Sequence, residues 1–245
     1  MERQPGESRP LARAHEVVRD IDAVAREAMR RTGTAQATLI GWATGGMWAG
    51  CYAALWPERV GHLVMMNALY GGSDRHPMLG PGSQTEDPAR RGRLHPRFGG
   101  FALYDAASLF PGWDNGIPET DKTLWRDPAI AEAYAAAALA SDPRSGEHNP
   151  PAFRAPLGAM EDSFYQACGR RLFDAGSITA RVLAIRSERD FWSRAEDADA
   201  FAQDAAHARE MRVVTLPGAT HFVHLERAPR GRDALLREIA ALFEA

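Results

Sequence analysis

Apolar and polar positions follow two rhythms along this chain, and a third stretch follows neither. From residue 11 to 31, Leu11, Ala14, Val18, Ile21, Val24 and Ala28 recur every three or four positions, with Arg, Asp and Glu between them. That spacing predicts an amphipathic helix, with Gly33 in "RTGT" as its C-cap. The apolar run "AQATLI" then predicts a short strand, and "MWAGCYAALWP" a helix stopped near Pro57. "VGHLVMMN" reads as a second buried strand. The last third repeats this order: "ARVLAIRS" a strand, "AEDADAFAQDAA" a helix, "EMRVVTLPG" a strand, "GRDALLREIAALFE" a helix. Strands alternating with helices predict an α/β fold with a parallel sheet flanked by helices. The unbroken apolar character of the strands predicts cover on both faces.

Between residues 71 and about 177 the rhythm stops. Glycine and proline crowd "GGSDRHPMLGPGSQTEDPARRGRLHPRFGG" and "FPGWDNGIP". One clear helix, "DPAIAEAYAAAALAS", stands among them. The pattern divides the chain into 1–70, an insertion of helix and loop over 71–177, and 178–245.

Composition narrows the function classes. Against 29 Lys and Arg stand 32 Asp and Glu, a net charge of -3, so nothing draws the chain to nucleic acid or an anionic membrane. No run approaches the about 20 apolar residues that span a bilayer. Cys51 and Cys168 lack metal-like spacing, and a reducing cytoplasm is the expected compartment. The eight histidines are scattered, and His221 with His224 makes no convincing ligand set, so no metal is expected. With no phosphate-cradling glycine motif either, no cofactor is expected, and the partner is a small-molecule substrate.

Three loops carry candidate chemistry, each just beyond a predicted strand. "LIGWATGG" brings a glycine turn to the carboxyl edge of the sheet, where α/β proteins keep their sites. Position 43 would stand in solvent at the top of that turn, and the Thr44 N–H would open the helix. An ordinary strand-to-helix turn could carry the same glycines. Asp190 follows "VLAIRSER", where a carboxylate can orient an imidazole or simply be solvated. His221 follows "VVTLPGAT" and is the candidate general base. His224 competes with it, but lies a helical turn later and is expected to face the sheet.

A turn residue, then an acid, then a histidine is the chain order of the α/β-hydrolase triad. On "LIGWATGG", "PERVGHLVMMN", "VLAIRSERD" and "LPGATHFVHLER", the chain from about residue 11 onward resembles the α/β-hydrolase family. The resemblance implies Ala43 at the nucleophile position, Asp190 as acid, His221 as base and Thr44 as an oxyanion donor. It also implies that the insertion is a cap, and that the substrate is a small carboxylic ester, thioester or lactone. Trp42, Phe191 and Trp192, beside those positions in sequence, are the expected substrate-binding residues; Arg154 and His148 are weaker candidates for polar contacts.

Two departures qualify the resemblance. Ala43 has no hydroxyl, so the form in hand is expected to be catalytically silent. A Ser→Ala change explains this with the rest of the elbow intact; a natural binding protein on the same fold, or a lyase or dioxygenase-like enzyme using only His221 and Asp190, are the alternatives. The family's first strands are also missing: "ERQPGESRP" resembles the tail of its glycine-rich loop. The strand at 36–41 is therefore expected to lack neighbours on one side, with a longer protein or a second chain to cover it.

Overall fold

A computed structural model describes residues 6 and 8–244 of the chain; the remaining residues of "ERQPGESRP" lie outside the described ones. Four parallel strands form the main sheet: β1 (Ala37–Trp42), β2 (Val60–Met66), β5 (Arg181–Ser187) and β6 (Glu210–Leu216), in the order β1-β2-β5-β6. Trp42 pairs with Met66, Met66 with Ile185, and Ser187 with Leu216. The strands therefore end level, and the loops after them share one edge.

Helices α1 (Ala14–Thr32), α2 (Thr44–Leu55) and α6 (Ala195–Asp204) cover one face. Val18, Met47, Tyr52 and Phe201 pack there on Leu63, Met65, Val182 and Ala184. Helix α7 (Arg232–Glu244) covers the other, setting Leu235 and Leu242 against Val64, Met66, Leu183 and Ile185. Gly33 ends α1 in the left-handed region (φ 68°), where its N–H reaches the Met29 carbonyl, as the spacing predicts.

Cover on both faces does not extend to β1. Thr38 and Ile40 are exposed, Ile40 by 54%, because α7 lies over β2 and β5 and stops short of the edge strand. Among the described residues, β1 pairs with β2 alone. The predicted stripe of α1 also shifts. Ala14, Val18 and Ala25 are buried, whereas Val24 is 70% exposed. Leu11 precedes the helix, since Ala12 takes a positive φ of 57° and breaks the helical path.

The stretch from 71 to 177 is not helix and loop alone. It pairs β3 (Phe101–Asp105) antiparallel with β4 (Ala152–Pro156), and carries α3 (Phe110–Gly116), α4 (Pro128–Ala140) and α5 (Gly158–Ala167). Two buried carboxylates tie its ends to the core. Asp197 of α6 accepts the N–H groups of Tyr70, Gly71 and Gly72 at 2.9–3.0 Å. Asp162 of α5 accepts the Ala14 N–H at 2.7 Å, the Arg13 guanidinium at 2.5 Å and the Trp48 indole at 3.1 Å. Asp162 thereby serves the free N-terminus of α1 from 148 residues away.

Candidate active site

The first component is backbone. A Cβ on Gly41 would lie 2.5 Å from the Gly46 Cα, and one on Gly46 would lie 2.9 Å from the Gly41 carbonyl and 3.1 Å from the Ala68 Cβ. Only glycine permits so close an approach of strand end and helix start. Between them Ala43 holds φ 50° and ψ -121°, a conformation that costs a residue with a Cβ about 1–3 kcal/mol. The Ala43 N–H donates to the Met66 carbonyl at 2.8 Å, and the Ala43 carbonyl accepts from Gly46 and Met47. Thr44 opens α2, so its N–H has no helical carbonyl to take it and faces out of the helix end. Ala43 is half-buried, not in open solvent.

The second component is a pair of side chains. His221 Nδ1 lies 2.6 Å from Asp190 Oδ1, with both side chains buried. Asp190 also accepts from the Trp192 N–H at 3.0 Å, the Ser193 N–H at 2.9 Å and the Ser193 hydroxyl. Donors on both oxygens fix the orientation of the carboxylate. With Nδ1 committed to Asp190, His221 has Nε2 left for a ligand.

An aromatic wall surrounds the imidazole. Trp42 lies 4.8 Å from it and Phe191 4.7 Å, centroid to centroid. The Trp42 indole N–H donates to the His221 carbonyl at 2.9 Å, so Trp42 also fixes the loop. His224 packs on Trp42, the last residue of β1, with its ring 4.5 Å away and its Nδ1 buried and unpartnered among the described residues. Burial, with His221 close by, pushes its pKa down to about 4. Trp192 turns away into a separate cluster with Leu69, Leu79 and Met160. His76, from the inserted stretch, meets the Trp192 carbonyl at 2.9 Å. Arg154 clamps Asp142 with two contacts of 2.7 Å within the inserted stretch, which places it in a structural pair.

The profile described as "Alpha/beta hydrolase family" matches residues 3–232. The chain belongs to the alpha/beta hydrolase family. No curated protein matches the sequence. Among solved structures, it is similar to an E-2-(acetamidomethylene)succinate hydrolase (TM-score 0.58, 17% identity, covering 97% of this chain and 79% of that one). It is likewise similar to the monoacylglycerol lipase of Paleococcus ferrophilus (TM-score 0.58, 18% identity, 96% and 79%). A third is the meta-cleavage product hydrolase of Pseudomonas fluorescens IP01, solved as a serine-to-alanine mutant with acetates (TM-score 0.58, 16% identity, 95% and 72%). At these identities the likeness is one of fold.

Within this alpha/beta hydrolase site, two residues escape sequence reasoning. Asn67 is fully buried at φ 52°. Its amide donates to the His221 carbonyl at 3.0 Å and the Ser187 hydroxyl at 3.1 Å, and accepts from the Ser187 N–H at 2.7 Å. It binds the ends of β2 and β5 to the histidine loop. An asparagine closing an apolar strand, a residue that tolerates positive φ, was the available signal. Ser193 had none. Among the described residues no group of His, Cys, Asp and Glu could hold a metal ion, and no helix is long and apolar enough to cross a membrane.

Proposed function

We propose that this chain is a hydrolase of small carboxylic esters, thioesters or lactones whose nucleophile position is filled by alanine. The observation that carries the reading is the backbone of Ala43. A methyl group gains nothing from φ 50° and ψ -121°, and a strained turn at a sheet's carboxyl edge is what presents a nucleophile. In the serine-bearing form the hydroxyl oxygen attacks the substrate carbonyl while His221 Nε2 takes its proton. Asp190 steadies the resulting imidazolium, and the Thr44 N–H donates to the oxyanion. His221 then protonates the leaving group, and water attacks the acyl intermediate on the same path. With Ala43 the first bond cannot form. The protein holds substrate against Trp42 and Phe191, under the inserted region as a cap, without turning it over.

The test is Ala43→Ser. It should confer covalent labelling by a fluorophosphonate at position 43, and raise ester or thioester hydrolysis on the order of 10⁴–10⁶-fold. An Ala43→Ser protein that folds, takes no label and cleaves none of a broad substrate panel would sink the proposal.

One observation favours a second reading. Asp190 and His221 form a complete pair without any hydroxyl, so His221 could take a proton from water or from an acidic substrate directly. Turnover by the Ala43 protein, abolished in His221→Ala, would decide for it. Inertness in both forms would leave the binding-protein reading.

A further inference from the structure

The loop that carries His221 also seats the inserted region. Trp113 of α3 is completely buried and stacks on Phe222, with centroids 5.0 Å apart and planes 12° from parallel. Its indole N–H donates to Glu226 Oε1 at 3.2 Å. The same oxygen accepts the Thr220 hydroxyl at 2.5 Å, and Thr220 directly precedes His221. The Thr220 oxygen in turn accepts the Phe222 N–H at 3.3 Å. Beyond Glu226, the Arg227 N–H reaches the Trp125 carbonyl at 2.8 Å, and its guanidinium reaches the Thr123 carbonyl at 2.8 Å and the Asp127 carboxylate at 2.9 Å.

Glu226 is the hub of this contact and an unusual residue for it. It is fully buried, and its second oxygen, Oε2, is unpartnered among the described residues. The charged groups around it are committed elsewhere. Arg126, 5.7 Å over the Trp113 ring, pairs with Asp114. Arg227 pairs with Asp127, Arg230 lies 3.8 Å from Glu119, and His221 is bound to Asp190. His224, on the same loop, is held neutral by burial. Two neutral donors do not offset the cost of a buried carboxylate, and burial pushes the Glu226 carboxyl above its ordinary value.

We propose that Glu226 is a positioning residue that couples the seating of the inserted region through Trp113 to the placement of His221 through Thr220. The proposal rests on reading His221 as the base of the site. Seated, the hub fixes the residue before His221; unseated, Glu226 loses the Trp113 donor and Phe222 its stacking partner, and the loop around His221 is freed. Rising pH ionises the carboxyl and loosens both sides together.

The test compares Glu226→Ala and Glu226→Gln with the parent protein, by amide hydrogen-exchange protection at residues 110–127 and 220–227 and by the NMR signals of the His221 imidazole. Glu226→Ala should lower protection in both segments together, at least about tenfold, and move the His221 signals. Glu226→Gln keeps the acceptor and cannot ionise. It should retain protection, and lack the parent's loss of protection as pH rises above the ordinary carboxyl range. Loosening confined to one segment, unmoved His221 signals, or a Gln variant with the parent's pH dependence would each overturn the proposal. Should Glu226→Ala fail to fold, the pH profile of Glu226→Gln decides alone. None of these measurements uses turnover, so their failure is distinct from failure of the Ala43→Ser test.

Discussion

Two parts of the site meet at one sheet edge and are held by opposite means. The turn at Ala43 is a backbone object: glycine contacts on either side and the Met66 carbonyl fix it, and its side chain contributes nothing. The His221–Asp190 pair is a side-chain object, in which Asp190 collects three donors besides the imidazole. The backbone contacts that hold the turn make its geometry independent of the side chain at position 43. The acid has no such independence, because four donors would lose their acceptor.

Asn67 directly follows Met66, whose carbonyl holds the Ala43 N–H, and its own amide holds the His221 carbonyl, so removing it should break the comparison most strongly. Asn67→Ala leaves the buried Ser187 N–H without its acceptor, takes one of two donors from the His221 carbonyl, and puts a residue without a side-chain hydrogen bond at positive φ. The expected loss is about 2–4 kcal/mol of unfolding free energy, read by urea denaturation, with disturbed His221 imidazole signals. A loss below about 0.5 kcal/mol would show that the halves stand independently.

His224 sharpens the side-chain half through pH. Its folded pKa of about 4 lies below the ordinary 6.5. Above pH 6.5 both folded and unfolded chains hold it neutral, and it adds no pH dependence. As pH falls from 6.5 towards 4, only the unfolded chain takes the proton, so stability drops, by at most about 3 kcal/mol. His224→Leu should remove that slope and leave the rest of the acid profile. An unchanged slope in the variant would show that His224 is hydrated in solution.

The sequence discloses these regions unequally, for a physical reason. The strand-helix order and the elbow are legible because period and glycine spacing are local properties. Asp190 and His221 are legible because each follows a strand whose end the topology brings to the same edge. The hub is not legible: Trp113 and Glu226 are 113 residues apart, and nothing near either announces the other. The same holds for Asp162 at the start of α1, and for β3 with β4, which pair across the alanine-rich helix α4. The exposed outer face of β1 contradicts its apolar composition, because the reach of α7, not the strand's own pattern, decides what is covered.

The smallest effect tests the backbone half directly. If Ala43 is strained and its methyl group carries nothing, glycine at that position should stabilise the protein. Ala43→Gly removes the Cβ penalty at φ 50°, but gives the unfolded chain more freedom to lose. The first term is about 1–3 kcal/mol and the second about 0.4–1 kcal/mol, so the strain should win by roughly 1 kcal/mol. Urea midpoints at matched slope resolve a difference of that size. A destabilised Ala43→Gly would mean that the turn is relaxed with alanine in place. The strained elbow would then no longer mark a missing nucleophile, and the reading with His221 and Asp190 as sufficient chemistry would gain what it lost.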